Sequence, residues 1–191
     1  LNFSALTAIY GKPIIQHESV QRCSYPDVDD IDKFTGSLSP GYLIIAKDQL
    51  KEKGLLAQND DFVRASGLWQ IKQFKEEIET TLRTKDMGGF QLLDIHDFLG
   101  QGTALVGVLD AFWDSKGYIT GEEFQSFCSP VVPLVKMDSR VFTADQRFSA
   151  IVEVANFGKK PLSGAKLQWS LKDQSSSVLK SGSLKTRHIP L

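Results

Sequence analysis

The sequence predicts an α/β chain whose first part carries two parallel strands and whose tail is part of an antiparallel β-sandwich. Three observations lead there. Two short apolar runs, Pro13-Ile14-Ile15-Gln16-His17-Glu18-Ser19 and Gly88-Gly89-Phe90-Gln91-Leu92-Leu93-Asp94-Ile95-His96-Asp97, each finish in polar, ionisable side chains. Helical patterning separates them, an order that implies parallel strands with right-handed crossovers. Near Pro130 the character changes to strict alternation of apolar and polar residues, the period of a half-buried antiparallel sheet.

Residues 1–10 mix apolar and small side chains and fit strand or loop, whereas 12–16 read as a buried strand. The stretch 19–38, rich in Ser, Asp, Pro and Gly, predicts a long loop, and long loops in compact domains are usually functional. Ser39-Pro40-Gly41 predicts a helix start, with Ser as cap and Pro at the first helical position. That helix runs to Lys53 and Gly54 ends it. Asn59-Asp60-Asp61 opens the next helix. Its apolar stripe is Leu68, Ile71, Phe74, Ile78 and Leu82, with Gln70, Lys72, Lys75, Glu76 and Glu79 mostly off it. Met87-Gly88-Gly89 breaks the pattern and the second strand follows. Thr120 to Glu123 spells a capping box ahead of Phe124 and Phe127.

Pro130 and Pro133 bracket an apolar connection. Phe148, Ala150, Val152 and Val154 then alternate with polar or small neighbours, as do Ala165, Leu167, Trp169 and Leu171. Asn156-Phe157-Gly158 and residues 174–177 supply turns. A full immunoglobulin-like sandwich needs about 100 residues. Only half of that follows residue 136, so the sequence predicts a partial one.

The composition, with 41% hydrophobic and 24% charged residues, is that of an ordinary globular protein. A net charge of −1 offers no electrostatic case for nucleic acid or an anionic membrane as partner. No apolar run approaches the roughly 18–20 residues of a membrane span. Cys23 and Cys128 are too few and too far apart for a disulfide framework or a zinc signature, and are expected as buried free thiols. The start at Leu1-Asn2-Phe3 and the end at Arg187-His188-Ile189-Pro190-Leu191 read as cuts through a longer polypeptide.

Parallel α/β enzymes gather catalytic groups at the carboxyl ends of their strands. The first strand delivers Gln16, His17 and Glu18 there, with alternation sending Gln16 and Glu18 one way and His17 the other. The second delivers Asp94, His96 and Asp97, followed by a polar loop with Gly100 and Gly102, and Trp113 lies further along. Carboxylates for acid, base or nucleophile work, aromatic faces for pyranose rings and polar donors for hydroxyls together suit a sugar site. Each group also has a structural role open to it: a strand-end ion pair for Glu18, or a rim network for Asp94, His96 and Asp97. A metal site from His17, Glu18, His96 and Asp97 lacks any compact ligand spacing.

Lys12 to Ser19, a helical stretch, then Gly88-Gly89-Phe90 and the continuation through Gly100-Gln101-Gly102-Thr103-Ala104-Leu105 resemble glycoside hydrolase family 2, the β-galactosidases and β-glucuronidases. The resemblance spans roughly residues 10–130. It implies that residues 1–133 are the C-terminal portion of a (β/α)8 TIM barrel and that 134–191 begin a following partial immunoglobulin-like β-sandwich. It maps Glu18 onto the nucleophile of a retaining exo-β-glycosidase, and places His17, Asp94, His96, Asp97 and Trp113 where sugar hydroxyls and rings are bound. It implies a carbohydrate substrate, no cofactor, no metal, and a periplasmic or secreted bacterial setting. The family's acid/base glutamate follows an Asn on an earlier barrel strand, and no Asn-Glu pair occurs in this sequence. The missing N-terminal part of the polypeptide is therefore an expected partner, and the isolated chain is expected to be inactive. The competing expectations are a non-catalytic carbohydrate-binding module using Trp113, Tyr118 and Tyr25, or a structural fragment. A lyase would need a Schiff-base lysine at a strand end, and Lys12 is at the wrong end of its strand.

Overall fold

The computed structural model describes residues 3–185 and 188–191. Leu1, Asn2 and Arg187, which belong to the two abrupt ends, lie outside the described residues. The chain divides into two compact units, Leu1–Cys128 and Ser129–Leu191.

The first unit opens with helix α1 (Ser4–Tyr10), where strand or loop was expected. Gly11 closes it at φ 56°, a left-handed position that glycine adopts without a Cβ penalty. The Phe3 N–H donates to Thr84 Oγ1 at 2.9 Å and fixes the helix start. Strand β1 (Ile14–Ser19) follows, and then the long loop, irregular apart from a 3₁₀ turn at Val28–Lys33. The buried Asn59 side chain stitches this loop down, donating to Pro26 O and accepting from the Val28 N–H.

Helix α2 (Gly41–Glu52) has Pro40, not Ser39, at its cap position, and no side chain caps it. The Pro40 carbonyl accepts the first helical N–H groups, from Leu43 and Ile44. Gly54 ends the helix as expected. Its own N–H donates to Lys51 O and the Leu55 N–H reaches back to Leu50 O, the paired bonds of a Schellman cap.

Helix α3 (Asn59–Arg83) is 25 residues long; Phe74 and Ile78 of the expected stripe are core, Ile71 and Leu82 pack against it, and the buried face extends beyond that stripe. Val63, Gly67, Gln70, Phe74 and Ile78 face inward, while Leu68 and Trp69 are exposed. Gln70 can be buried because its amide donates to Arg22 O at 2.5 Å and Leu105 O at 3.2 Å. Glu79, also expected off the stripe, is buried between Lys75 and Arg83.

Gly67 lets the Tyr118 ring lie directly on the α3 backbone, where an added Cβ would overlap the ring. Gly67→Ala should therefore lower stability. The helix-propensity gain is about 1 kcal/mol, against roughly 1–3 kcal/mol for forcing a side chain into a filled contact. Urea unfolding followed by circular dichroism checks this, and a rise in midpoint would refute the contact.

Strand β2 (Met87–Leu92) pairs in parallel with β1, with Ile14 opposite Met87, Gln16 opposite Phe90 and Ser19 opposite Leu92. Helix α4 (Gly121–Gln125) carries the expected capping box, Thr120 Oγ1 accepting from the Glu123 N–H and the Glu123 carboxylate accepting from the Thr120 N–H. The core joins Val20, Phe74, Ile78, Val108 and Phe127, with Phe90, Leu92 and Phe124 against it. Both cysteines are free, but Cys23 is exposed rather than buried, its thiol donating to Thr103 O at 3.3 Å.

The second unit begins with strand β3 (Val131–Lys136), where an apolar connection was expected. Pro133 sits inside it, opposite Val154 of β4 (Ile151–Asn156). Proline is tolerated because, among the described residues, β3 has a hydrogen-bonded neighbour on one side only. Two further antiparallel pairs follow: β5 (Leu162–Ser163) with β8 (His188–Ile189), and β6 (Lys166–Lys172) with β7 (Val178–Lys185). Trp169 lies over Gly182, its cross-strand partner, where a Cβ would come within 2.8 Å of the indole. Trp169, Leu171 and Leu184 of this hairpin are exposed.

Candidate functional site

The exit of β1 is held in an uncommon conformation. Glu18 has φ 53° and the β-branched Val20 has φ 61°, both left-handed. Each such residue costs about 1–3 kcal/mol and persists only where its surroundings impose it. Here two anchors impose it. The Val20 side chain is locked in the core. Glu77 Oε1 on α3 accepts from Gln16 Nε2 at 2.5 Å and from the Val20 N–H at 3.2 Å, clamping the chain on both sides of Glu18.

This bend undoes the expected alternation. The Gln16 side chain turns to α3, bonding Glu77 and accepting from Thr81 Oγ1. Glu18 does not follow it. Its carboxylate accepts from Gln21 Nε2 at 3.1 Å and lies 3.5 Å from His17 Nε2, with 45% of the side chain exposed. The other nitrogen of His17 meets Gln91 Oε1 of β2 at 2.8 Å. A chain Gln91–His17–Glu18–Gln21 thus crosses the end of the parallel pair.

At the end of β2 a second chain forms. The Leu93–Asp94 peptide is cis. Asp94 Oδ1 accepts from the Ile95 N–H at 2.6 Å, and its Oδ2 lies 3.6 Å from His96 Nε2. His96 Nδ1 is 2.7 Å from Asp97 O. A carbonyl oxygen only accepts, so Nδ1 carries the proton and Nε2 faces Asp94. The imidazole lies against the Trp113 ring, centroids 4.5 Å apart.

Asp97 is turned inward and is 4% exposed. Its Oδ1 accepts from Lys116 Nζ at 2.6 Å and from the Gly107 N–H at 3.0 Å. Burial pushes its carboxyl above the ordinary value, and the Lys116 ammonium and the Gly107 amide pull it back. Gly107 must lack a side chain, because a Cβ there would run into the backbone of His96 and Asp97. Lys116 also donates to Ser24 Oγ at 3.3 Å, tying the loop after β1 to the excursion after β2.

The other aromatics expected at the rim are engaged. Tyr118 rests on Gly67, and burial raises its hydroxyl to about 12. Tyr25 is tilted against Phe62, centroids 5.4 Å apart. Trp113 is 62% exposed and open to solvent.

A cleft of about 160 Å³ runs between Gln21, Cys23, Leu93, Phe98, Gln101, Thr103, Ala104 and Val106. Two of these adjoin the site, Gln21 as the partner of Glu18 and Leu93 as the residue before Asp94. Ligand pockets usually start at about 300 Å³, and this cleft is smaller than that. No group of three or more metal-ligating side chains is assembled among the described residues.

Sequence reasoning missed Glu77, Lys116 and Lys33. Lys33 Nζ reaches Asp30 at 3.1 Å and Asp114 at 3.2 Å, and pairs with the buried Asp110. Burial raises the Asp110 carboxyl, but the Lys33 hydrogen bond and the Asp114 and Phe112 N–H groups outweigh it and hold it below its ordinary value. One signal was present, since an Asp side chain commonly bonds the backbone two residues on, as Asp110 does with the Phe112 N–H.

Residues 146–191 match the model of a family described as a domain of unknown function (DUF8488). No curated protein matches the chain. The family match lies within the second unit and does not extend to the strand ends that carry Glu18 and Asp94.

Proposed function

We propose that the chain contributes the nucleophile half of a retaining glycosidase site of the family 2 type, with Glu18 as nucleophile. The observation that carries this is the left-handed Glu18 at the carboxyl end of β1, exposed and braced by His17 and Gln21 beside the parallel β2. A strained residue that its surroundings over-determine is a mark of a working position. An isolated structural ion pair would gain nothing from that conformation.

In this mechanism the Glu18 carboxylate attacks the anomeric carbon, forming a glycosyl ester as the leaving oxygen departs with a proton. Water, losing a proton to the group that protonated the leaving oxygen, then attacks the anomeric carbon, breaks its bond to the Glu18 oxygen and restores the carboxylate. The proton donor must be a second carboxyl group about 5–5.5 Å away. Asp94 and Asp97 are poor candidates, one tied to Ile95 and His96, the other buried on Lys116. The donor is assigned to the N-terminal barrel strands of the same polypeptide, and the isolated chain is inactive. Asp94, His17 and His96 bind sugar hydroxyls, and Asp97 holds the rim in place. The exposed apolar side chains of the β6–β7 hairpin suit the inner face of a β-sandwich.

A 2-deoxy-2-fluoro-β-galactoside with a dinitrophenyl leaving group needs no acid, so it tests the nucleophile directly. In the complete barrel polypeptide, peptide mapping should find the label on Glu18. Label on Asp94, or on none of these residues, would overturn the assignment.

A further inference from the structure

The net charge of −1 hides an uneven distribution. Residues 129–191 carry ten Lys and Arg against four Asp and Glu, so the second unit is basic and the first acidic. Such asymmetry within one chain marks the basic part as a site for an anionic partner.

Much of that charge is arranged on one side of the β6–β7 hairpin. Side chains alternate along a strand, and directly opposed residues share a face. Lys166, Gln168 and Ser170 of β6 therefore lie on one side together with Lys185, Ser183 and Ser181 of β7, their respective partners. All six are exposed. Lys172 continues the row beyond an irregularity in the register. Leu167, Trp169, Leu171 and Leu184 take the other side.

Lys166 faces Lys185 directly, and like charges so placed destabilise a strand pair. Among the described residues, neither these two nor Lys172 is ion-paired. Asp173, the acid next in sequence, spends its Oδ1 on the turn, accepting from the Ser175 and Ser177 N–H groups at 2.8 and 2.9 Å. Lysine along a strand edge guards against stray pairing, but that purpose does not call for two of them face to face. An anionic partner removes the repulsion.

The middle of the face identifies the partner's chemistry. Gln168, Ser170, Ser181 and Ser183 offer amide and hydroxyl groups, with cations at both ends of the row. Six residues of strand give the row a length of about 20 Å. None of the six paired residues is aromatic, so nucleic-acid bases have no stacking platform. None is apolar, so nothing on this side enters a bilayer. A polymer rich in hydroxyls and bearing carboxylate or sulfate groups matches both the polar row and its charged ends.

We infer that this face of the second unit binds an acidic polysaccharide, the lysines pairing with its anionic groups and Gln168 and the serines bonding its hydroxyls. Glu18 and the strand-end rim take no part.

The test is titration calorimetry of the 191-residue chain with polygalacturonate, which presents carboxylates, and with dextran sulfate, which presents sulfates. Neutral dextran, poly-L-glutamate, duplex DNA and phosphatidylglycerol vesicles are the comparisons. At least one acidic polysaccharide should bind at least about tenfold more tightly than every comparison, and the tighter of the two names the anion. Lys166→Gln with Lys185→Gln should weaken that binding at least about tenfold and flatten its salt dependence. The thermal unfolding midpoint of that variant should hold or rise, because the cross-strand repulsion is gone. Removing the same charge from the first unit, in Lys53→Gln with Lys72→Gln, should change the affinity by less than about twofold. Gln168→Ala, which leaves the charge intact, should weaken binding at least about threefold. Absence of polysaccharide binding, equal binding to any comparison, or an equal loss in the Lys53 and Lys72 variant would overturn the inference. A Gln168→Ala protein that binds like the parent would reduce the face to bare charge and overturn it as well.

Discussion

Glu18→Gln should lower turnover in the complete barrel polypeptide by at least about a thousandfold, about 4 kcal/mol of barrier, while leaving folding unchanged. The amide has the size of the carboxylate and can still meet His17 and Gln21, but it cannot carry the negative charge that attacks the anomeric carbon. An exposed isosteric change is expected to alter stability by no more than about 0.5 kcal/mol. The companion variant Glu18→Gly sharpens the test. At φ 53° a non-glycine residue costs about 1–2 kcal/mol, and glycine's extra chain entropy returns about 0.5–1 of it. Glu18→Gly should therefore be slightly more stable and equally inactive. That combination marks a position kept for chemistry at the expense of stability. Steady-state kinetics on an aryl β-galactoside, with thermal unfolding in parallel, reads both. Turnover within tenfold of the parent in Glu18→Gln would remove Glu18 from the reaction.

The elements that were legible in the sequence share one property: their signals are local. The capping box at Thr120, the stop at Gly54 and the two short strands around Ile14 and Phe90 each follow from residues a few positions apart. What was not legible depends on partners far along the chain. The buried face of α3 extends to Gln70 because its amide finds the Arg22 and Leu105 carbonyls, and no periodicity reports that a glutamine will be satisfied from two other segments. Pro133 suggested an interruption, yet a strand hydrogen-bonded on one side leaves room for a residue without an N–H. At the strand ends the surroundings of the candidate residues were not legible. Glu18, Asp94 and Asp97 look alike in sequence. One is exposed in a left-handed bend, one is tied to the following amide, and one is buried on a lysine nineteen positions away. The clamp by Glu77 lies 57 residues from Val20, beyond any local pattern.

Lys116→Met should be strongly destabilising, costing about 3–5 kcal/mol at neutral pH. Asp97 is buried, and Lys116 is the cation that compensates it. Methionine fills a similar volume but leaves the carboxylate with only the Gly107 N–H. Net worth and breaking cost differ here, since replacing both partners by apolar residues is often close to neutral while removing one strands a charge. The pH dependence separates this from a loss of packing. The folded value of Asp97 is raised, chiefly by burial, so the native state binds the proton more readily than the unfolded chain. Such a group contributes stability that is fully present below the unfolded value of 3.8 and is lost as pH rises through the folded value. Without Lys116 the carboxyl rises further and the effect grows. Lys116→Met should therefore recover part of its lost stability as pH is lowered from neutrality toward the carboxylate range, and the parent should gain less. Adding Asp97→Asn to Lys116→Met should recover stability at neutral pH and flatten the profile. Urea midpoints measured between neutral and mildly acidic pH check this. A Lys116→Met profile parallel to the parent's would show that Lys116 acts through packing alone. The same variant tests the rim, because Lys116 also holds Ser24 on the loop after β1. The stranded charge should loosen the hold of Asp97 on Gly107 and, with it, the His96 backbone against which Gly107 is packed.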